Sequence, residues 1–216
     1  MQTDFARKRG LSGRNSFAVG RISLLLSDPS RTNRYNIKTN GSFMVSYWYP
    51  AEPRAGELPG VWEDKPLALD PNWWGGYNDR VVRFVTHSLP DAGISNANER
   101  YPVIIYVPGY SGPRAENQEK FEDLASHGYI VISADHWEVY GTVFPDGKYL
   151  HGSSVTGEPS TLLNDATFAT KSFTRRTLDL RVILATSIGA TRAFPGSVLT
   201  QTLIILVLLD FPLAAV

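Results

Sequence analysis

The chain contains no cysteine, which excludes disulfide bridges and thiolate metal sites and says little about compartment. It has no surplus of either charge. The 21 basic and 21 acidic residues give a formal net charge of zero, so no global field favours nucleic acid or an anionic membrane. Its basic residues are scattered rather than striped, which argues further against nucleic-acid binding. Long apolar runs are missing too. The run Leu203 to Leu209 is too short to span a bilayer, and Asp210-Phe211-Pro212 interrupts any extension. There is no H-E-x-x-H or other metal-ligand spacing, so no metal is assigned, and there is no G-x-G-x-x-G or P-loop behind a strand and no internal repeat. Histidine is scarce: His87, His127, His136 and His151 are the four, and none follows His151. The basic start "MQTDFARKRGLSGRNSF" lacks a following apolar stretch of signal-peptide length, "SLLLS" being far too short. No secretion signal is read, which leaves the cytoplasm as the default compartment.

What is present suits one packed domain. The chain has 216 residues, 43% hydrophobic and 19% charged. Residues 1–15 read as an extension without order. Residues 16–52, ending in the β-branched and aromatic "SFMVSYWYPAEP", predict two antiparallel strands joined through "SDPSRTNRYN". Residues 53–79 read as a loop or short-helix excursion; Trp73 and Trp74 in it either line an apolar site or pack the loop onto the core.

The continuous apolar run Val103 to Val107, bounded by Pro and Gly, predicts a strand buried on both faces, as in a parallel sheet. "PRAENQEKFEDLASHGY" predicts a helix with Phe121, Leu124 and Ala125 as its apolar stripe and Gly128 ending it. "YIVISADH" is a second buried strand, which completes a βαβ unit. Asp146-Gly147 predicts a hairpin turn. "KSFTRRTLDLRVIL" fits two periods: Phe173, Thr177, Leu180 and Leu184 make a helical stripe, while Leu178, Leu180, Val182 and Leu184 alternate as in a strand. After Leu184 only Arg192 and Asp210 carry charge. The run at 203–209 is then either a buried strand or a segment foreign to the fold.

Taken together and in order, "FAVG", "SDPSRTNRYN", "YWYPAE", "YPVIIYVPGYSG", "LASHGYIVISADH" and "VFPDGK" resemble the platelet-activating factor acetylhydrolase-like esterases of the α/β-hydrolase fold. The related chlorophyllases and dienelactone hydrolases share the central part. The resemblance covers roughly residues 16–184 and implies the N-terminal part of an α/β-hydrolase: antiparallel N-terminal strands leading into a parallel sheet with flanking helices, incomplete. It implies a serine hydrolase of carboxylic esters, with short-chain acyl groups on phospholipids as the best-known substrates, a Ser-His-Asp triad, and no metal or cofactor. Members occur both secreted and inside cells.

Residue by residue the carry-over is shorter. "PGYSG" stands where the family reads His-Gly-x-x-Gly, with Pro108 in place of the histidine. The backbone N–H of Tyr110, following Gly109, is then one oxyanion-hole donor, since a tetrahedral intermediate needs fixed N–H dipoles aimed at its developing charge. The resemblance places His136 and Trp137 near the pocket, without making His136 the catalytic histidine. Asp135 beside them is suited to orient a hydroxyl or cap a strand end. His127 reads as a helix cap, and His87 and His151 as exposed turn residues.

"ATSIG" at 185–189 differs by one glycine from the G-x-S-x-G elbow, which makes Ser187 a candidate nucleophile. Two arguments oppose it. The triad runs Ser, Asp or Glu, His along the chain, and after Ser187 there is one acid, Asp210, and no histidine. "FTRRTLDLRVIL" also resembles the helix before the elbow strand rather than that strand. The family pattern therefore reads as stopping near residue 184, as truncation or a frameshift would make it, with 185–216 an apolar tail of doubtful family origin. Apolar edges left open would favour self-association and poor stability. Three readings stand: an esterase fragment with the oxyanion loop but no triad, a non-catalytic lipid- or small-molecule-binding protein on the same partial fold, and a minimal esterase using Ser187.

Overall fold

The computed structural model describes residues 16–27, 42–61, 85–98, 100–109, 113–135, 142–146, 149–150, 166–189 and 205–209, with the backbone alone at 149–150, 166–173, 175, 187–189 and 205–209. Strands β1 (Ala18–Leu26) and β2 (Phe43–Glu52) pair antiparallel over their whole length, from Ala18 opposite Ala51 to Leu26 opposite Phe43. The alternation at 16–52 foretells this pair. The short strands β3 (Ser88–Pro90) and β4 (Gly93–Ile94) extend β1 in parallel and the end of β2 in antiparallel fashion.

β5 (Val103–Val107) is the continuous apolar run and β6 (Ile130–Ala134) the second strand read from the sequence, and both are buried throughout. They pair in parallel, joined by helix α1 (Gln118–Ser126), so the βαβ unit read from the sequence is present. α1 ends as its sequence indicates. His127 is the C-cap, and Gly128 follows at φ +94°, a left-handed conformation that glycine adopts without Cβ strain. The hairpin β7 (Thr142–Val143) and β8 (Tyr149–Leu150) closes around the predicted Asp146 turn.

The two-period segment is a helix, α2 (Ala166–Gly189), and it runs through the composition change at 184 without a break. Among its described side chains Asp179 and Ile183, four residues apart, are the buried ones, with Leu180, Val182 and Leu184 packed beside them, while Thr177 of the expected stripe is exposed. The helical period wins because this face meets the sheet. Beyond it, β9 (Ile205–Leu209) pairs in parallel with β5, so the apolar run at 203–209 contributes a strand.

The seven-stranded sheet reads β3-β1-β2-β6-β5-β9, with β4 beside β2, an α/β architecture. Its two faces are covered by different helices. Phe121 and Ala125 of α1 pack on Val19, Trp48, Ile104, Tyr106 and Val131. Ile183 of α2 packs with Val45, Tyr47, Val103, Ile105 and Ile132 on the opposite face. Each such side chain removed from water contributes about 1.5–3 kcal/mol, which fixes the pleat and hence which residues look towards which helix.

Candidate active site

The strand order defines where a ligand would sit. From β5 the chain crosses to β6 on one side, then returns through α2 to β9 on the other side of β5. Ligands of open parallel sheets bind outside the carboxyl ends of the strands at such a reversal. Here that edge carries Pro108 and Gly109 after β5 and Asp135 after β6.

Three polar groups fasten the β5 exit. The N–H of Gly109 donates to Glu116 Oε1 at 3.1 Å, and the Tyr106 hydroxyl donates to the same oxygen at 2.6 Å. Asn117 Nδ2 donates to the Tyr106 hydroxyl at 2.6 Å, so this N-cap residue makes no capping bond with its side chain and instead ties α1 to β5. The ring of Tyr106 is buried against Phe121, their centroids 4.9 Å apart. From the opposite face, Arg176 Nη1 of α2 donates to the Pro108 carbonyl at 3.3 Å.

Asp135 heads a second group, almost wholly enclosed. Its carboxylate accepts from the Arg114 backbone N–H at 2.8 Å, from Arg114 Nη1, and from the Thr142 hydroxyl at 2.6 Å. Arg114 Nε donates to Ser46 Oγ at 2.9 Å, and Ser46 Oγ lies 2.7 Å from Ser23 Oγ. Arg114, Asp135 and Thr142 are all buried, so the charges are paired and multiply bonded, as ions removed from water must be.

A third cluster has the residue types of a triad in the wrong arrangement. Buried Glu122 accepts from the N–H groups of His87 and Ser88, from the Ser88 hydroxyl at 2.9 Å and from Gln118 Nε2 at 2.9 Å, while His87 Nδ1 lies 3.2 Å away. The carboxylate stands between serine and imidazole, whereas nucleophile activation needs the imidazole in the middle. The cluster is a clasp holding β3 to α1.

Of the residues singled out from the sequence, Gly109 is at the sheet's carboxyl edge, its N–H already engaged. Tyr110, His136, Trp137, His151, Trp73 and Trp74 lie outside the described residues. Ser187 lies in the last turn of α2, inside continuous helix, whereas an elbow is a turn between strand and helix. His127 sits at the α1 C-terminus with Nδ1 2.8 Å from the Asp123 carbonyl, and His87 is exposed at its imidazole. Arg114, Glu116, Thr142 and Arg176 were not singled out. Arg114 and Glu116 have one signal, their position between "PGYSG" and the helix that follows; Thr142 and Arg176 have none in the sequence.

Neither the protein-family models nor the curated proteins give a match to the chain. Among solved structures it is similar to a ferulic acid esterase from Streptomyces cinnamoneus. The identity is 26% and the TM-score 0.66, over 91% of this chain and 53% of the esterase chain. The chain thus spans about half the length of that esterase. With the mixed sheet and its flanking helices, this likeness makes the fold an α/β-hydrolase-type fold.

Proposed function

We propose that the chain carries the ester-binding, oxyanion-loop half of a carboxylic ester hydrolase. The observation that carries this reading is the likeness to the ferulic acid esterase over 91% of the chain, in a sheet whose order reverses at β5. At that point the ester carbonyl lies across the carboxyl end of β5. Glu116 occupies the N–H of Gly109, and the sequence resemblance gives the next amide, that of Tyr110, the role of oxyanion donor. His136 and Trp137, directly after Asp135, line the acyl or alcohol pocket. The sequence resemblance favours short acyl groups on phospholipid-like alcohols, as in the platelet-activating factor acetylhydrolase-like enzymes. The esterase neighbour adds esters of ferulic acid as a second class to test.

Chemistry at this edge needs a serine whose proton an imidazole can take. Ser187 sits in a helix and has no histidine after it, so these residues do not form a triad in the order Ser, Asp, His. The polypeptide is therefore expected to bind a tetrahedral anion without turning over esters. Two measurements test this. Purified chain should not raise p-nitrophenyl acetate hydrolysis above buffer, and turnover abolished by Ser187→Ala would establish the minimal esterase instead. The chain should bind the ethyl phenylphosphonate monoanion more tightly than ethyl benzoate, and Tyr110→Pro, which deletes the donor, should weaken phosphonate binding by at least about tenfold. Equal affinity for both probes would refute the oxyanion assignment.

A further inference from the structure

The sheet-facing stripe of α2 begins with a cation. Arg176, Leu180 and Ile183 recur at i, i+4 and i+7 and so share one face of the helix. Ile183 is buried in the core and Leu180 packs against that core. Arg176, the half-buried first member, thus stands where an apolar side chain would serve packing better. Its Nη1 donates to the Pro108 carbonyl at 3.3 Å, directly after β5. The guanidinium therefore lies at the carboxyl edge of the sheet, beside the strand at which the order reverses.

The bond to Pro108 uses one of the five guanidinium N–H groups. Arg176 Nε is enclosed and has no hydrogen-bond partner. Among the described residues Arg176 has no acidic partner at ion-pair distance, Asp179 one turn further on included. A cation drawn out of water without a counter-charge is costly, so this position is suited to an anion. The free side of the group also selects a class of anion. With Nη1 held by a carbonyl, Nε and Nη2 present their N–H groups side by side, the planar fork from which a carboxylate accepts two parallel bonds. We propose that Arg176 is the carboxylate-binding residue of this edge, its Nε and Nη2 taking either the acid released from an ester or a carboxylate carried on the ester itself. The inference rests on the ester-site reading for the identity of that ligand.

Isothermal titration of the full chain at neutral pH tests this with benzoate, monoethyl terephthalate and, as the uncharged reference, ethyl benzoate. Wild type is expected to bind at least one of the two carboxylates more tightly than ethyl benzoate. Arg176→Gln should weaken that carboxylate by at least about tenfold and leave ethyl benzoate unchanged. A loss that includes benzoate supports the proposal with the released acid as ligand. A loss confined to monoethyl terephthalate supports it with the carboxylate carried on the ester. No preference for a carboxylate, or an affinity indifferent to Arg176→Gln, overturns it, and an equal fall for ethyl benzoate reduces Arg176 to a clamp on Pro108. If circular dichroism shows Arg176→Gln unfolded, Arg176→Lys decides, since it keeps the charge without the fork; undiminished carboxylate affinity in that variant overturns the proposal. The phosphonate measurement separates the two readings. Carboxylate binding that depends on Arg176, in a chain that does not prefer the phosphonate, removes the ester-site reading and leaves the carboxylate site. Phosphonate binding that depends on Tyr110, with carboxylate affinity indifferent to Arg176, removes the carboxylate site alone.

Discussion

At Gly20 the sheet has no room for a methyl group. The residue lies opposite Tyr49, and a Cβ there would press on the Tyr49 ring, with Cζ at 2.7 Å. That ring cannot swing aside freely, because its hydroxyl donates to the Ala92 carbonyl at 2.7 Å. Gly20→Ala is expected to cost about 1–3 kcal/mol in urea unfolding, the range of an overpacked core site. Tyr49→Phe removes a buried bond and leaves a carbonyl unpaired, at about 1–2 kcal/mol. Burial, then the charges of Asp91 and Glu57, hold the Tyr49 phenol well above its ordinary ionisation range. Its folded pKa exceeds the unfolded one, so the associated stability is complete below about pH 10 and is lost as pH rises beyond it. The stability gap between wild type and Tyr49→Phe should therefore hold steady from pH 7 to 9 and shrink above pH 10. A gap independent of alkaline pH would contradict this account.

Among the elements, α1 and β3 depend on one carboxylate. Glu122→Gln presents an amide donor to a site already crowded with donors, and the loss is expected to be about 1–3 kcal/mol, with faster exchange at 86–90. An unchanged urea midpoint would show that the clasp contributes nothing. How far the sequence discloses such elements varies with the kind of signal. β5 is legible because five consecutive apolar residues bounded by breakers admit few alternatives, and β6 because Ile130, Val131 and Ile132 follow a helix stop at Gly128. α1 is legible because Phe121 and Ala125 repeat at helical spacing and Gly128 closes it. α2 is not, since the segment offers a helical stripe (Phe173, Thr177, Leu180, Leu184) and a strand alternation (Leu178, Leu180, Val182, Leu184) at once, and only contact with the sheet selects one. The site is legible in part: "PGYSG" marks the β5 exit, but nothing in Arg114 or Thr142 announces a partner at Asp135. Such polar pairings arise from topology, and residues distant in sequence carry no local pattern to betray them.

For the whole molecule the decisive contact is β9 on β5. If 205–209 is part of the fold, a chain ending at Gly189 should lose ladder bonds worth about 1 kcal/mol each along a five-residue register. That loss is large against a typical total stability of about 5–15 kcal/mol. Sedimentation velocity and circular dichroism of that shortened chain should show aggregation or loss of the cooperative transition. A monomer as stable as the full chain would mean that the apolar tail is foreign to the domain. Among the described residues no helix is long and apolar enough to cross a membrane.

The same pairing has a consequence in time. Synthesis proceeds from the N-terminus at about 5–20 residues per second. The β6 flank of β5 is filled within a few seconds, but its other flank waits about a hundred residues, or roughly 5–20 s, for Ile205 to Leu209. During that interval the nascent chain displays a bare apolar strand edge on the ribosome. Ribosome-bound holding chaperones should therefore engage this protein most strongly while residues 135–205 are being translated, and slow codons in that stretch should lower its soluble yield.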